Sequence, residues 1–385
     1  MQRLWRLWGF WLSLSVVPAH AEGQAPACAD DSCGTDWVYF GTRSTEAGQG
    51  IVAARFDAKT GKLSSIGKVA ELTKPAWLLA HPKLPVLYSV SEVSGASSVY
   101  AFSRDPASGK LTLINSVASG GGGAAHLTFD EGAKALFVAH YGTGHVSWLP
   151  TADDGRLGIP NSVQSNYGTG PNQQRQAAPH AHGVAVDPSH RYVLAADLGA
   201  DRIFVYGFDP ATRQLVPAAH PFGSSSPGAG PRHLTFHPNG KFLFLVTEMF
   251  SEVVSYSWDA KTARLQHIQT LAMDEPGFTE QKSAAHIAIS RDGRFVYASN
   301  RGAHTIAVFA VNAKDGTMKL VQRISSQGKI PWDFSLDPSG RWMLVANTNS
   351  NAINVFSVNP DTGELTATQE TMSVTLPSNV TFIER

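Results

Sequence analysis

The chain has 385 residues, 31 Lys+Arg against 31 Asp+Glu and a formal net charge of zero, so it lacks the basic excess with which a nucleic-acid binder displaces counterions. Only 16% of residues are charged, against roughly 25% in ordinary soluble domains, while 43% are hydrophobic and 10% aromatic, which excludes a disordered chain. The 35 Gly and 22 Pro point to many turns, and length alone would suggest two or three domains of roughly 150 residues each.

Residues 1–21 have the layout of an export leader. Arg3 and Arg6 supply a positive start, Leu7 to Val17 a short apolar run, and Pro18 breaks it before the small-x-small site Ala19-His20-Ala21. The run is too short for a spanning helix, which needs about 20 residues, so a membrane anchor is the weaker reading. The mature chain is expected to start near Glu22 and to be periplasmic or secreted, with no integral membrane segment after leader removal. Residues 22–36 form a polar tail that carries Cys28 and Cys33. These two can close a small disulfide loop in an oxidising compartment or remain free thiols, and neither is expected to be catalytic.

From residue 37 onward the sequence repeats. A short strand ending in Asp or His, a turn and a second apolar strand recur as WLLAHPKLPVLYSVSE (77–92), HLTFDEGAKALFVAHY (126–141) and GVAVDPSHRYVLAADL (183–198). They return as HLTFHPNGKFLFLVTE (233–248), HIAISRDGRFVYASNR (286–301) and DFSLDPSGRWMLVANT (333–348). The period is near 50, and one gap is longer because residues 158–178 are inserted. Tight turns between further strands count the same units independently: DAKTGKL (57–63), DPASGKL (105–111), DDGRL (153–157), DPATRQL (209–215), DAKTARL (259–265), NAKDGTMKL (312–320) and NPDTGEL (359–365). These turns lack the acidic alternation of a calcium loop. Four short strands per unit of this length predict an all-β, seven-bladed β-propeller of four-stranded antiparallel blades in one domain, residues 37–385. The C-terminal NVTFIER (379–385) has the pattern of a first strand and WVYFGTR (37–43) that of a second, so the ring is expected to close by pairing the two chain ends.

In such a ring the start of each first strand and the end of each second strand share one face. The register puts Ala76, Ala125, His182, Arg232, Ala285, Trp332 and Ser378 just before the first strands. It puts Arg43, Glu92, Tyr141, Leu198, Glu248, Arg301 and Thr348 at the ends of the second. His182, Arg232, Glu248 and Arg301 come from neighbouring blades and are the candidate catalytic group. Arg43, Glu92 and Tyr141 lie across the mouth, and His180, two residues before His182, is a further candidate for contact with substrate. A mouth holding His, Glu and two Arg suits an anionic or oxygen-rich small molecule. His126, His233 and His286 open three first strands and are expected to hydrogen-bond between blades. His81 and His237 replace the turn Asp and are expected to be structural. No ligand spacing calls for a metal, and Gly120–Gly123 lacks the Lys-Ser/Thr of a phosphate loop.

The motifs PHAHGVAVDP (179–188), GAGPRHLTFHPNGKF (228–242), VTE (246–248), SNRG (299–302) and PWDFSLDPSGR (331–341) resemble the propeller-type 6-phosphogluconolactonase family, which includes the carboxymuconate lactonizing enzymes. The resemblance covers nearly all of residues 37–385, and it implies that His182, Arg232, Glu248 and Arg301 are the active-site residues. The chain departs from the family at Ala285-His286-Ile287-Ala288, where Ala-Glu-Ile-His is frequent, and at His140-Tyr141, where Asn-Tyr is frequent. The expected activity is hydrolysis of a sugar-type lactone without metal or cofactor, with His182 or Glu248 as the base and the arginines holding the oxyanion. An exported chain favours a non-phosphorylated aldonolactone over a sugar phosphate of the cytoplasm. The rival readings are a lactonizing cycloisomerase and a non-catalytic exported propeller that binds a protein. The expected partner is the small-molecule lactone, and a monomer is the simplest state.

Overall fold

In a computed structural model, the described residues are Met1, 35–93 and 95–383. The expected leader beyond Met1, its cleavage site and Cys28 and Cys33 lie outside them. Seven four-stranded antiparallel sheets follow one another around a ring. A single 3₁₀ turn, Thr348–Ser350, is the only helical element among the described residues. The seven-bladed propeller expected from the repeats is what the chain forms.

Blade 1 joins the chain ends. The C-terminal strand Pro377–Ile383 is its inner strand and pairs with Thr35–Thr42, with Trp37 opposite Ile383 and Phe40 opposite Val380. The inner strands of blades 2 to 7 are Leu78–Ala80, Ala124–Asp130, Ala181–Val186, Pro231–Phe236, Ala284–Ile289 and Pro331–Leu336.

The second strands explain the apolar runs in the sequence. Val86–Ser91, Ala135–His140, Phe242–Thr247 and Phe295–Asn300 are buried at every position, because a neighbouring blade covers each face of the sheet. The apolar side chains gather in seven clusters, and each cluster draws on two adjacent blades. One device recurs where the blades meet: a tyrosine on a second strand donates its hydroxyl to a carbonyl in the next blade's turn. Tyr39 reaches Gly109 at 2.8 Å, Tyr88 reaches Gly155 at 3.0 Å and Tyr297 reaches Gly363 at 3.1 Å.

Gly109 shows why the turns favour glycine. Its φ is +70°, and a Cβ there would stand 2.2 Å from the Trp37 ring. At the matching turn of blade 4, Arg213 is exposed and takes φ +54°. Gly109→Ala is therefore expected to lower the thermal melting midpoint, losing more than about 1–2 kcal/mol through strain and clash. Arg213→Gly is expected to leave the midpoint unchanged or raise it, since only the left-handed backbone cost of about 1 kcal/mol is relieved. Equal midpoints for Gly109→Ala and the parent would refute this account of the interface.

Candidate active site

The site is built by a repeated irregularity. In six of the seven blades the inner strand carries a β-bulge at its start, where one residue has no partner on the second strand. A bulge bends the strand and re-aims a side chain. The residues so placed are Ala125, His182, Arg232, Trp332 and Ser378, with the Ala285–His286 pair in blade 6. The expectation that these positions precede the inner strand is corrected here: they lie within it, and only Ala76 of blade 2 stands before its strand. Glu248 and Arg301 immediately follow the second strands of blades 5 and 6. Their N–H groups bond the carbonyls of Gly230 and Ser283 at 2.8 and 2.7 Å, which ties both to the same rim.

A cavity of about 320 Å³ opens there, lined by His182, Arg232, Glu248 and Arg301 together with Arg43, Glu92 and Tyr141. Seven of the eight expected site residues thus meet. The eighth, His180, is not among the lining residues. Its ring stacks on Tyr141 at 4.6 Å and its Nδ1 lies 2.6 Å from the Tyr141 carbonyl, so it supports Tyr141 from behind.

Glu248 is the hub. Its Oε2 accepts from Arg232 Nε at 3.0 Å and pairs with Arg301 Nη2 at 2.9 Å, while Oε1 accepts from Arg175 Nη2 at 2.7 Å. Arg175, which also donates to the Tyr141 hydroxyl at 3.2 Å, was not anticipated from the repeats. It belongs to the insertion between blades 3 and 4. A compact turn presents it: the N–H groups of Arg175 and Gln176 bond the Asn172 carbonyl, and the buried Gln176 side chain donates to Leu198 O at 2.8 Å. Trp332 forms a platform for three cations, with the guanidinium carbons of Arg43, Arg301 and Arg232 at 4.1, 4.5 and 5.6 Å from its ring. Arg43 is also paired with Glu92 at 2.9 Å, and Lys74 reaches the same carboxylate at 3.2 Å.

These contacts set the charges. Burial alone would raise the Glu248 carboxyl, but the charges of Arg301 and Arg232, followed by His182 and Arg175, outweigh it and hold the group well below the ordinary carboxylate range. Burial, then the Arg301 charge, brings Arg232 down to about 9, so it remains a cation at neutral pH. Burial and the Arg232 charge push His182 well below its usual value, which leaves a neutral imidazole. Four arginines against two glutamates line the cavity, a surplus of two positive charges. Three buried polar atoms of the site have no hydrogen-bond partner: His182 Nδ1, Arg232 Nη2 and Arg301 Nε. A buried polar group left unmatched is costly.

The floor of the cavity is aromatic. Trp77, His126, His233 and His286 pack with ring centroids 4.2 to 5.6 Å apart. Trp77 borders both this cavity and a second hollow of about 740 Å³ at the other end of the channel. The expected bonds between blades are present, since His126 Nδ1 accepts from Val184 N and His233 meets His286. His81 and His237 are structural as expected, each accepting turn N–H groups on Nδ1. Among the described residues no group of His, Cys, Asp and Glu is arranged to hold a metal ion.

A rigid ring with one charged, small-molecule-sized cavity at its axis defines a propeller enzyme. The model of the lactonase family with the 7-bladed β-propeller matches residues 37–382, and the chain belongs to that family. It is a lactone-hydrolysing enzyme of the 6-phosphogluconolactonase-like kind. Its relatives include the 6-phosphogluconolactonase of Bacillus subtilis, 33% identical over 347 residues that cover 90% of this chain and 98% of the relative. The 6-phosphogluconolactonase of Formosa agariphila is 30% identical and covers 76% of this chain and 83% of its own length. The solved structure of the periplasmic gluconolactonase of Pseudomonas aeruginosa superposes with a TM-score of 0.86 at 31% identity, covering 91% of this chain and 99% of that one.

Glu248→Gln leaves the buried cations Arg232 and Arg301 without a counter-charge. Removing one partner of a buried pair costs about 3–5 kcal/mol, and a destabilisation of that order is expected at neutral pH. The Glu248 carboxyl is depressed in the folded state, so its contribution is present above the unfolded carboxyl value of about 4.3 and fades as pH falls below it. Denaturation midpoints measured across pH should show the gap between parent and variant closing in acid. A gap that stays constant would contradict the assignment.

Proposed function

We propose that this chain hydrolyses a sugar-type lactone of the non-phosphorylated aldonolactone kind, outside the cytoplasm, by acid–base chemistry without a metal. The observation that carries the reading is the meeting, in one cavity, of a neutral imidazole and two arginines, each with an unpartnered buried nitrogen. His182 takes a proton from water as its oxygen attacks the lactone carbonyl. Arg232 Nη2 and Arg301 Nε receive the oxyanion, where fixed donors in a low-dielectric site are worth far more than in water. The ring C–O bond then breaks, His182 returns its proton to the leaving alkoxide, and the new acid group loses a proton to leave a carboxylate. Glu248 has both oxygens engaged by three arginines, whereas His182 Nδ1 has no partner, so the proton falls to His182 and the task of Glu248 is to fix the arginines. The surplus positive charge of the cavity meets the oxyanion and then the carboxylate product, so a neutral lactone suffices as substrate.

The compartment rests on residues 1–21, taken as an export leader cut before Glu22, and is that of the periplasmic Pseudomonas relative. A panel of sugar lactones assayed by acid release tests the whole reading. His182→Asn is expected to cut kcat by about 10²–10⁴, the usual weight of a general base, with a smaller change in KM. In ¹⁸O-labelled water the label should enter the product carboxylate. Turnover without label would mean a cycloisomerase, and no turnover of any lactone would leave a binding propeller.

A further inference from the structure

Behind Arg232 a chain of contacts runs through the channel floor. Arg232 Nη1 donates to the Ala285 carbonyl at 2.6 Å and lies 3.3 Å from His233 Nε2. His233 Nδ1 lies 2.9 Å from His286 Nδ1, and the same His286 nitrogen lies 3.5 Å from Asp333 Oδ1. Three inner strands, of blades 5, 6 and 7, contribute these groups. Asp333 is 1% exposed. Its Oδ2 accepts from Asn379 Nδ2 at 3.0 Å and Val380 N at 2.8 Å, whereas Oδ1 has no hydrogen-bond partner.

The proton positions follow from one end. An arginine only donates, so His233 Nε2 is the acceptor and its proton sits on Nδ1. That proton points at His286 Nδ1, which must therefore be bare, with the His286 proton on Nε2. An ionised Asp333 would set a negative oxygen 3.5 Å from this bare nitrogen. Two arrangements relieve the conflict. Either Oδ1 keeps a proton, or His286 moves its own proton to Nδ1, which collides with the donor from His233 and drives that proton to Nε2, against Arg232.

We propose that Asp333 is a positioning residue for Arg232: with a proton on Oδ1 it leaves the His286 lone pair to His233, so that His233 Nε2 steadies the guanidinium, and ionisation of Asp333 reverses the chain. The groups that face the carboxyl are few. From blade 6 it meets His286, from blade 5 the Arg232 charge, and from blade 1 the uncharged Asn379. His126 of blade 3 acts on it through His286. Burial raises the Asp333 carboxyl, against the pull of the Val380 and Phe334 N–H groups, to about 7, which puts the reversal within reach of ordinary conditions.

The proposal rests on the reading of Arg232 as an oxyanion donor, and its test keeps the two apart. Asp333→Asn is isosteric: the amide oxygen can keep the Asn379 and Val380 bonds, while the amide N–H, like the protonated Oδ1, sets no negative charge beside His286 at any pH and so leaves its lone pair to His233. With spontaneous hydrolysis subtracted, parent kcat is expected to fall by roughly tenfold as pH rises from about 6 to about 8, short of the range in which Arg232 itself loses its charge, whereas Asp333→Asn stays level. In ¹⁵N-labelled protein, the imidazole signals of His233 and His286 should exchange proton-bearing and bare nitrogens over that range in the parent and not in the variant. A parent profile without an alkaline fall, a variant with the parent's fall, or imidazole signals unchanged with pH would each overturn the proposal. A parent that hydrolyses no lactone defeats the reading of the site, and the imidazole signals then decide this inference alone.

Discussion

Each of the seven apolar clusters is assembled from two neighbouring blades, so every blade needs both neighbours to keep its second strand dry, and the interfaces all hold only when the ring is closed. Strand Thr35–Thr42, which the ring closure completes, shares this burden. Its Val38 and Phe40 enter the cluster with blade 7, and its Trp37 and Tyr39 the cluster with blade 2. Because burial of apolar area is the main stabilising term, a ring of shared cores turns local packing into a global condition. The axial channel, and the rim on which the site stands, follow from it.

The same constraint explains how so much charge survives in the interior. Arg232 is fully buried and Arg301 and Glu248 nearly so, a combination that pays only if every charge has a fixed partner. The rim supplies that fixity: bulges on the inner strands and main-chain bonds behind the second strands anchor the side chains from below, while the insertion brings Arg175 from above. With three cations on one carboxylate, the balance is left positive and several arginine donors remain unspent. An active site of this kind is preorganised by the scaffold, and substrate binding need not reorient it.

Much of this was legible in the sequence, because a repeat converts position into place. The strand and turn motifs fixed seven blades and their order, and register alone brought His182, Arg232, Glu248 and Arg301 to one mouth. What escaped was what lies outside the register. Arg175 sits in an insertion with no counterpart in other blades, so no alignment of units could say where it points. The place of His180 escaped for a related reason: it lies in a loop before the repeat, and its stacking on Tyr141 depends on the path of that loop. The bulges were invisible too, since one extra residue leaves the alternation of a short strand almost unchanged. The channel histidines were read correctly as links between blades, but their gathering into one floor with Trp77 is a property of the closed ring and of no single unit.

The pairing of Pro377–Ile383 with Thr35–Thr42 also bears on the order of events during synthesis. A ribosome delivers the closing strand last, so six blades can exist while the seventh still lacks its inner strand. Until then both flanking interfaces stand open, and contacts between residues more than 330 positions apart, the slowest kind to form, have yet to be made. The protein is thus unable to lock into its final shape until residues 377–383 are free to pair.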